Sequence, residues 1–275
     1  YEISECLVGS EMCIRDSVYT IWKKFSHGLG PVNGDFGKIS LSLLGLNLFY
    51  KAMSSDKYIL QEVVDARTER EFLDLPRKIY KGNRNWVCPL DPSIQAVFDP
   101  KKNEMFSDGE AIRWIARDKK GEVVGRIAAF YDREHAFLEE QPTGGCGFFE
   151  AINDQELADQ LFDAARMWLS SRGMEAMDGP INFGPRDSWW GLLVSGYEFQ
   201  PLYENTYNPP YYKELFENYG FQNYFNQHTY LRRLEVGQLS DSVYERVKRL
   251  EESPGYCFKP VSYTHLRAHE TLANL

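Results

Sequence analysis

The chain has 275 residues, of which 43% are hydrophobic and 15% aromatic. It therefore has enough apolar side chains to form a core, and it is not an intrinsically disordered sequence. Its 40 acidic and 31 basic residues give a formal net charge of −9, which argues against a broad nucleic-acid interface because such an interface needs an excess of Lys and Arg. No apolar run reaches the ~20 residues that a membrane-spanning helix needs.

Both ends of the sequence resemble translated adapter DNA. Residues 11–17 read EMCIRDS and residues 261–266 read VSYTHL, and one short DNA can encode the first on one strand and the second on its complement. We therefore predict that residues 1–17 and 261–275 are adapter-derived artefacts and not part of the natural domain.

The adjoining segment, residues 18–52, is predicted to be a leader that is read through in frame. Its alternative interpretation is a membrane-proximal or signal segment, because it contains the apolar run ISLSLLGLNLFYKAM. The predicted domain is residues 53–260, and its C-terminal side is expected to be cut off at about Pro260.

Cysteine and histidine spacing gives no metal pattern. Between the predicted adapter segments the cysteines are Cys88, Cys146 and Cys257, which are widely spaced and form no even disulfide framework. This usage favours a reducing, cytoplasmic compartment and no metal. His265 and His269 have zinc-like spacing, but they lie in a predicted adapter segment and are not interpreted as ligands.

The first half of the domain reads as strand, helix, loop and hairpin. Residues 58–64 alternate and favour a strand. Thr68 and Glu71 form a capping-box pattern before an amphipathic helix. Residues 83–103 are rich in Pro and Asn and predict a loop with one short helix, and residues 111–132 predict a hairpin about an Asp-Lys-Lys-Gly turn.

The second half alternates strands and helices. The predicted elements are a strand over 144–152, a helix capped at Asn153–Glu156 and stopped by Gly173, a strand over 174–182, a long loop to Tyr207, a helix ending at Gly220 and a strand over 221–234.

This order of elements resembles the GNAT N-acetyltransferase superfamily over Lys57–Leu234. Three stretches carry the resemblance: VGRIAAF, GFFEAINDQELADQLFDAARMWLSSRGME and YYKELFENYGF. The resemblance implies an α/β (α+β) fold, with a mixed, mostly antiparallel central sheet flanked by helices, and acyl-CoA as co-substrate. More narrowly, NWVCPL, GRIAAF, GFFE, GPIN and YNPPYY look like a bacterial family of YghO-like and ceramide-synthase-like proteins, whose members are linked to N-acylation of long-chain bases.

The resemblance also implies a cofactor site at the strand that precedes the long helix. In GNAT proteins this strand binds the pantetheine arm through its backbone, and the helix N-terminus holds the pyrophosphate. The matching residues here are Phe148, Phe149, Ala151 and Ile152 in the strand and Asn153, Asp154 and Gln155 at the helix start. The chain departs from the usual loop because it has no glycine there, and the carboxylates of Asp154 and Glu156 oppose an anion. An ordinary capped helix with no ligand is the alternative.

A second departure concerns the general acid. The tyrosine of the related closing helix falls on Phe216, which cannot donate a proton, so Tyr211 is the predicted substitute. Tyr212 and Tyr219 are nearby, and any of these tyrosines could equally be a packing residue.

The long loop is the predicted acceptor site, because loops of this length in compact domains are usually functional or disordered. Its aromatic side chains could line a groove for an acyl chain or a long-chain base, or they could pack on one another. The predicted substrate-binding residues are Asn182, Trp189, Trp190, Asn208 and Tyr212. Glu150 and Asp187 are the candidate catalytic carboxylates, since burial could raise their pKa toward that of a useful base. His228 is interpreted as a face residue of the last strand.

The sequence thus predicts an acyl-CoA-dependent N-acyltransferase that acts on an amine, with a long-chain (sphingoid) base as the preferred acceptor. Its expected partners are acyl-CoA and the amine, with peripheral membrane contact through a lipid substrate and no nucleic acid. Two alternatives remain: a degenerate GNAT-fold binding module without turnover, and a relative that uses aminoacyl-tRNA, which the acidic charge disfavours.

Overall fold

Within the described residues, eight strands form one sheet. The computed structural model describes residues 13–25, 57–138, 140–231 and 241–255. The strands are β1 (Cys13–Lys24), β2 (Ile59–Glu62), β3 (Gly109–Arg117), β4 (Val123–Asp132), β5 (Thr143–Ala151), β6 (Ala176–Gly179), β7 (Leu192–Ser195) and β8 (Gln222–Leu231). The helices are α1 (Ala66–Ile79), α2 (Asp91–Val97), α3 (Arg133–Ala136), α4 (Gln155–Ser170), α5 (Tyr212–Tyr219) and α6 (Asp241–Glu251), with a 3₁₀ turn at Glu104–Ser107.

The sheet is mixed and mostly antiparallel. Its strand order is β2–β3–β4–β5–β6–β1–β7, and β8 pairs with β1. β5 and β6 run parallel, and α4 supplies the crossover that a parallel pair needs. The β2–β3, β3–β4, β4–β5, β1–β6 and β1–β7 pairs are antiparallel. The predicted fold class, a GNAT-like mixed sheet flanked by helices, is confirmed.

Helices cover both faces of the sheet because neighbouring strand residues point to opposite sides. In β3, Trp114 packs in the same cluster as Leu157 and Leu161 of α4, whereas Ile115 packs with Phe72 of α1. All five side chains are fully buried. Burial of one such side chain contributes about 1.5–3 kcal/mol, so these two layers hold α1 and α4 in place.

The start of α1 differs from the prediction. Asp65, not Thr68, is the N-cap: its carboxylate accepts from the Thr68 N–H at 2.7 Å, and the Thr68 hydroxyl accepts in return from the Asp65 N–H at 3.2 Å. The capping box therefore lies three residues earlier than the Thr68–Glu71 pattern indicates, because Thr68 serves as the third helical residue. The cap of α4 is Asp154, within the predicted span, and α5 ends at Gly220 in the left-handed region, as predicted.

Two strands were not predicted. β7 lies inside the predicted long loop, where the Asn208 side chain accepts from the Leu193 N–H at 2.8 Å and donates to the Leu193 carbonyl at 3.1 Å. β1 comes from the predicted adapter and leader segments and pairs with β6 and β7. The limits of the predicted domain stay a prediction; residues 26–52 and 261–275 lie outside the described residues.

β5 has one residue more than β4 requires. Glu150 pairs with Arg126, but Gly147 pairs with Ala128, so the register shifts between these two pairs. Phe148, within the shifted stretch, has a positive φ of 52°. These features describe a β-bulge, a local irregularity that is common beside active sites.

The chain divides into two compact units. Among the described residues, those between 14 and 229 belong to the unit that contains the sheet core, and residues 13, 230, 231 and 241–255 belong to the other. In the second unit α6 is described, with Val243, Tyr244, Val247 and Leu250 exposed.

Candidate functional site

β5 and β6 diverge along the second half of β5. Their ladder ends at the pair Gly145–Asp178, and one further hydrogen bond follows, from the Ile181 N–H to the Cys146 carbonyl at 2.9 Å. Gly147 lies so close to Ile181 that a Cβ would be 1.8 Å from the Ile181 carbonyl oxygen, so a side chain cannot be accommodated there. Beyond Gly147, none of the described strands continues the β5–β6 ladder.

A cavity of about 90 Å³ lies beside the end of β5. It has room for several water molecules, because one needs about 10–15 Å³. Its walls come from β4, β5, the end of α1, α5 and the loops around residues 86–91 and 180–208. Its lining includes Arg77, Trp86, Val87, Asp91, Arg126, Phe148, Phe149, Glu150, Trp189, Asn208 and Tyr212.

The Glu150 carboxylate is held by three side chains. Its Oε2 accepts from the Tyr212 hydroxyl at 2.7 Å and from the Tyr80 hydroxyl at 2.9 Å. Its Oε1 lies 3.6 Å from Nη2 of Arg126, whose Nη1 donates to the Phe72 carbonyl at 2.7 Å. Glu150 and Arg126 are 9% and 3% exposed, so this ion pair lies in the protein interior. Such a carboxylate is fixed in position, as a general base must be.

Burial and hydrogen bonding act in opposite directions on Glu150. Burial raises the pKa of this carboxyl, and the Arg126 charge and the two tyrosine hydroxyls reduce that rise. Burial also raises the pKa of Tyr80 and of Tyr212 well above the ordinary value. Both tyrosines therefore stay protonated at neutral pH and act as donors toward Glu150.

The charges that line the cavity are paired. Arg77 donates from Nη2 to the Asp91 carboxylate at 2.6 Å, and Arg126 faces Glu150. Two guanidinium groups and two carboxylates thus balance each other. This arrangement suits a ligand with an uncharged reacting group, such as an acyl carbonyl.

Tyrosines bond the backbone at the end of β5. The Ala151 N–H donates to the Tyr212 hydroxyl at 2.8 Å, and the Tyr211 hydroxyl donates to the Ala151 carbonyl at 2.8 Å. Burial raises the pKa of Tyr211 to about 12, so Tyr211 keeps its proton at neutral pH. Phe216 is fully buried against Phe149 in the core.

The N-terminus of α4 does not have the features of a phosphate cradle. Asp154 caps the helix by accepting from the Leu157 N–H at 3.2 Å, and it forms an ion pair with Lys57. Gln155 donates to the Asp159 carboxylate at 2.7 Å. Ile152 and Asn153 are exposed. A carboxylate therefore already occupies the place where an anion would accept from this helix end.

The cavity brings together some of the predicted site residues. Phe148, Phe149, Glu150, Trp189, Asn208 and Tyr212 line it, whereas Tyr211, Ala151, Ile152, Asn153, Asp154 and Gln155 do not. Asn182 and Trp190 also lie outside its lining, and Trp190 instead stacks under the Arg186 guanidinium at 5.2 Å. Asp187 is exposed and lies outside the lining as well. The roles of all these residues stay predictions.

Three polar residues of the site were not predicted from the sequence. Tyr80 is the C-cap of α1, and Arg126 lies in the middle of β4. Arg77 is in the last turn of α1. Arg126 carries the one available signal, since a charged residue within the apolar run VVGRIAAF is buried only when it is paired.

No cluster of three or more metal-ligating side chains occurs in the part of the chain that the structure describes. Among the same residues, no helix has both the length and the apolar character that crossing a membrane requires.

The sheet, the diverging β5 and β6 and the crossover helix α4 together form a GNAT-like fold. The chain is distantly homologous to two curated proteins. It is 27% identical to protein YghO of Escherichia coli (strain K12) over 173 residues, which are 62% of this chain and 43% of YghO. It is 29% identical to the bacterial ceramide synthase of Caulobacter vibrioides over 205 residues, which are 73% of this chain and 51% of that protein. The chain thus spans about half the length of these relatives, and no protein-family model matches it.

Solved structures that resemble the chain include GNAT acetyltransferases. An acetyltransferase of the GNAT family from Staphylococcus aureus MU50 is 13% identical, with a TM-score of 0.31 over 42% of this chain and 68% of that one. The structure of L-PGS from Bacillus licheniformis is 10% identical, with a TM-score of 0.32 over 61% of this chain and 46% of that one.

Proposed function

We propose that the protein is an acyl-CoA-dependent N-acyltransferase whose preferred acceptor is a long-chain amine. The observation that carries the proposal is the buried Glu150 carboxylate, which lines a cavity at the point where β5 and β6 diverge. The bacterial ceramide synthase that is similar over half its length supports N-acylation as the reaction.

The chemistry requires a neutral amine that attacks a thioester carbonyl. A C–N bond forms, the C–S bond breaks, one amine proton is lost to a base and the departing thiolate takes up a proton. Glu150 is the proposed base, because it is held at the cavity by Tyr212 and Tyr80 and because burial raises its pKa, which makes the carboxylate a stronger base. The paired charges of the cavity favour the uncharged acyl group in this place.

A lipidic acceptor fits the surface around the cavity. A volume of about 90 Å³ accommodates the reacting groups but not a long chain, so the chain would extend past the cavity wall. Val87, which lines the cavity, is 50% exposed, and Leu90 and Leu202 are also exposed next to lining residues. These side chains could contact the alkyl chain of a long-chain base or the membrane that contains it.

The test is release of free thiol from a long-chain acyl-CoA in the presence of a long-chain base. Glu150→Gln is expected to lower the rate by about 100-fold, within the usual range for loss of a general base. Glu110→Gln is the matched control, because Glu110 is a carboxylate that accepts from Tyr131 at 3.0 Å, outside the cavity lining. Asp187→Asn in the same assay decides whether that exposed residue contributes. An unchanged rate in Glu150→Gln would contradict the proposed mechanism, and an unchanged rate in Asp187→Asn as well would remove both carboxylates from it.

A binding module without turnover is the second candidate. It is favoured by Asp154, which caps α4 where a pyrophosphate would bind, and by the tyrosines that already bond the Ala151 backbone. Calorimetry with CoA and with a long-chain acyl-CoA separates the two candidates. No heat with either ligand supports the module, whereas heat with the acyl-CoA supports the transferase only if thiol release from the same acyl-CoA accompanies it.

A further inference from the structure

Tyr80 lies behind Glu150 at the junction of two cavity loops. Its side chain is buried, and its ring stacks on Trp86 with centroids 4.9 Å apart and an interplanar angle of 13°. It also meets the Tyr207 ring edge-on at 6.0 Å. The hydroxyl therefore has a fixed position between β5 and the loop that contains Tyr207.

The Tyr80 hydroxyl is close to two acceptors but has one proton. It lies 2.9 Å from Glu150 Oε2 and 3.1 Å from the Tyr207 carbonyl oxygen. When Glu150 is ionised, Tyr80 can donate to the carboxylate. When Glu150 is protonated, its own O–H can donate to the Tyr80 oxygen, and the Tyr80 proton can then turn to the Tyr207 carbonyl. Both protonation states of Glu150 are thus satisfied without a buried orphan group.

Tyr212 does not offer the same choice. Its oxygen already accepts from the Ala151 N–H at 2.8 Å, so its proton points to Glu150. The other carboxylate oxygen, Oε1, faces the Arg126 guanidinium at 3.6 Å, which disfavours a proton there. Protonation of Glu150 is therefore directed to Oε2, the oxygen that Tyr80 contacts.

We propose that Tyr80 is a positioning residue that makes Glu150 a reversible proton acceptor by switching its hydroxyl proton between Glu150 and the Tyr207 carbonyl. This inference rests on the proposed function for its role in catalysis, but the switch itself can be measured without turnover. The titratable groups around Glu150 are Tyr80 at the C-cap of α1, Arg126 of β4, Tyr211 at the N-cap of α5, Tyr212 of α5 and, further out, Arg77 of α1.

The first experiment follows Glu150 directly. The full chain is labelled with ¹³C at the glutamate side-chain carboxyls, and the Glu150 signal is identified by its absence in Glu150→Gln. In Tyr80→Phe the ring stack is kept and the hydroxyl is lost, so the midpoint of the Glu150 titration should rise by about one pH unit. The acidic limb of the pH profile of kcat/KM should shift to higher pH by the same amount. At pH values on the acidic side of this limb, kcat/KM should therefore fall about tenfold.

Tyr131→Phe is the matched control. Tyr131 is also a buried tyrosine whose hydroxyl donates to a carboxylate, that of Glu110 at 3.0 Å, and it does not line the cavity. This variant should leave the Glu150 titration and the pH profile unchanged. An equal shift in Tyr80→Phe and Tyr131→Phe would overturn the proposal, and so would a Tyr80→Phe midpoint equal to that of the wild type.

A second variant covers the case in which Tyr80→Phe does not fold. 3-Fluorotyrosine at position 80 keeps the ring and the hydroxyl but makes the hydroxyl a stronger donor, so the Glu150 midpoint should fall. An unmoved or raised midpoint would overturn the proposal. A wild-type chain without transfer activity would contradict the proposed function alone, because the carboxyl titration still reports on Tyr80.

Discussion

Asp178 of β6 is a half-buried carboxylate outside the cavity lining. Burial raises its pKa to about 6, and the Arg186 charge opposes that rise only in part. The folded protein therefore binds a proton at Asp178 more tightly than the unfolded chain does, and folding stability falls as the pH rises from about 4 to about 6. Ionised Asp178 is thus a source of instability at neutral pH.

We predict that Asp178→Asn stabilises the protein above pH 6. The gain should be on the order of 2 kcal/mol at pH 7, and it should shrink as the pH is lowered from about 6 to about 4 and vanish below about pH 3, where Asp178 is protonated in both the folded and the unfolded state. Urea unfolding at several pH values measures it. Glu175→Gln, at an exposed position three residues earlier, is the control. A gain that does not vary with pH would show that the substitution acts through packing.

Single residues also mark what the sequence could not reveal. Glu150 was identified as a candidate because it was expected to lie near the acceptor groove, where burial could raise its pKa. Tyr80 and Arg126 reach Glu150 only after the chain folds, since Tyr80 is 70 residues away in sequence. From the sequence, Asp187 was as good a candidate for the catalytic carboxylate as Glu150, but its side chain is exposed in the structure.

At the scale of elements, local signals were the most informative. The predicted helix after Asn153 corresponds to α4 because its apolar spacing and its Asp154 cap are contained in one stretch. β7 has four residues and is held by the Asn208 side chain and by β1. Neither partner is adjacent in sequence, so no periodic pattern could predict it.

The N-terminus of α4 gives a prediction about coenzyme binding. Asp154→Asn keeps a good N-cap residue, so stability should change little. If the pyrophosphate of acyl-CoA binds at this helix end, loss of the negative charge should raise the affinity for CoA roughly two- to fivefold, and less at high salt. Calorimetry at two salt concentrations measures this. Asp163→Asn, further along α4, is the control, and equal affinities in the wild type and Asp154→Asn would place the pyrophosphate elsewhere.

At the scale of the whole molecule, β1 decides how the sheet is completed. β1 lies between β6 and β7, and its Ile21 is buried in the core. β8 carries Tyr224 and Phe225 exposed and pairs with β1. If residues 18–52 are a read-through leader, the natural domain has to fill the β6–β7 gap with another strand.

We therefore predict that a chain beginning at Met53 folds and that β8 takes the place of β1. Amide hydrogen exchange should then show stronger protection of residues 222–229 than in the longer chain, because β8 would gain partners on both sides. Circular dichroism provides the check on folding. A truncated chain that unfolds, or one in which these amides exchange as fast as before, would contradict the predicted start of the domain.

The extra residue in β5 decides which face of the sheet the Glu150 carboxylate lies on. Cys146, Phe149 and Ala151 all pack in the α4 cluster, although strict alternation from Cys146 would give Phe148 and Glu150 that orientation. The β-bulge shifts the alternation by one residue, so Phe149 and Ala151 face α4. Glu150 therefore points toward Arg126 and away from the apolar side chains of α4. Deletion of one residue here would place the Glu150 carboxylate among the apolar side chains that pack on α4, and Arg126 would lose its ion-pair partner. We therefore expect insertions and deletions in this part of β5 to be tolerated far less than substitutions.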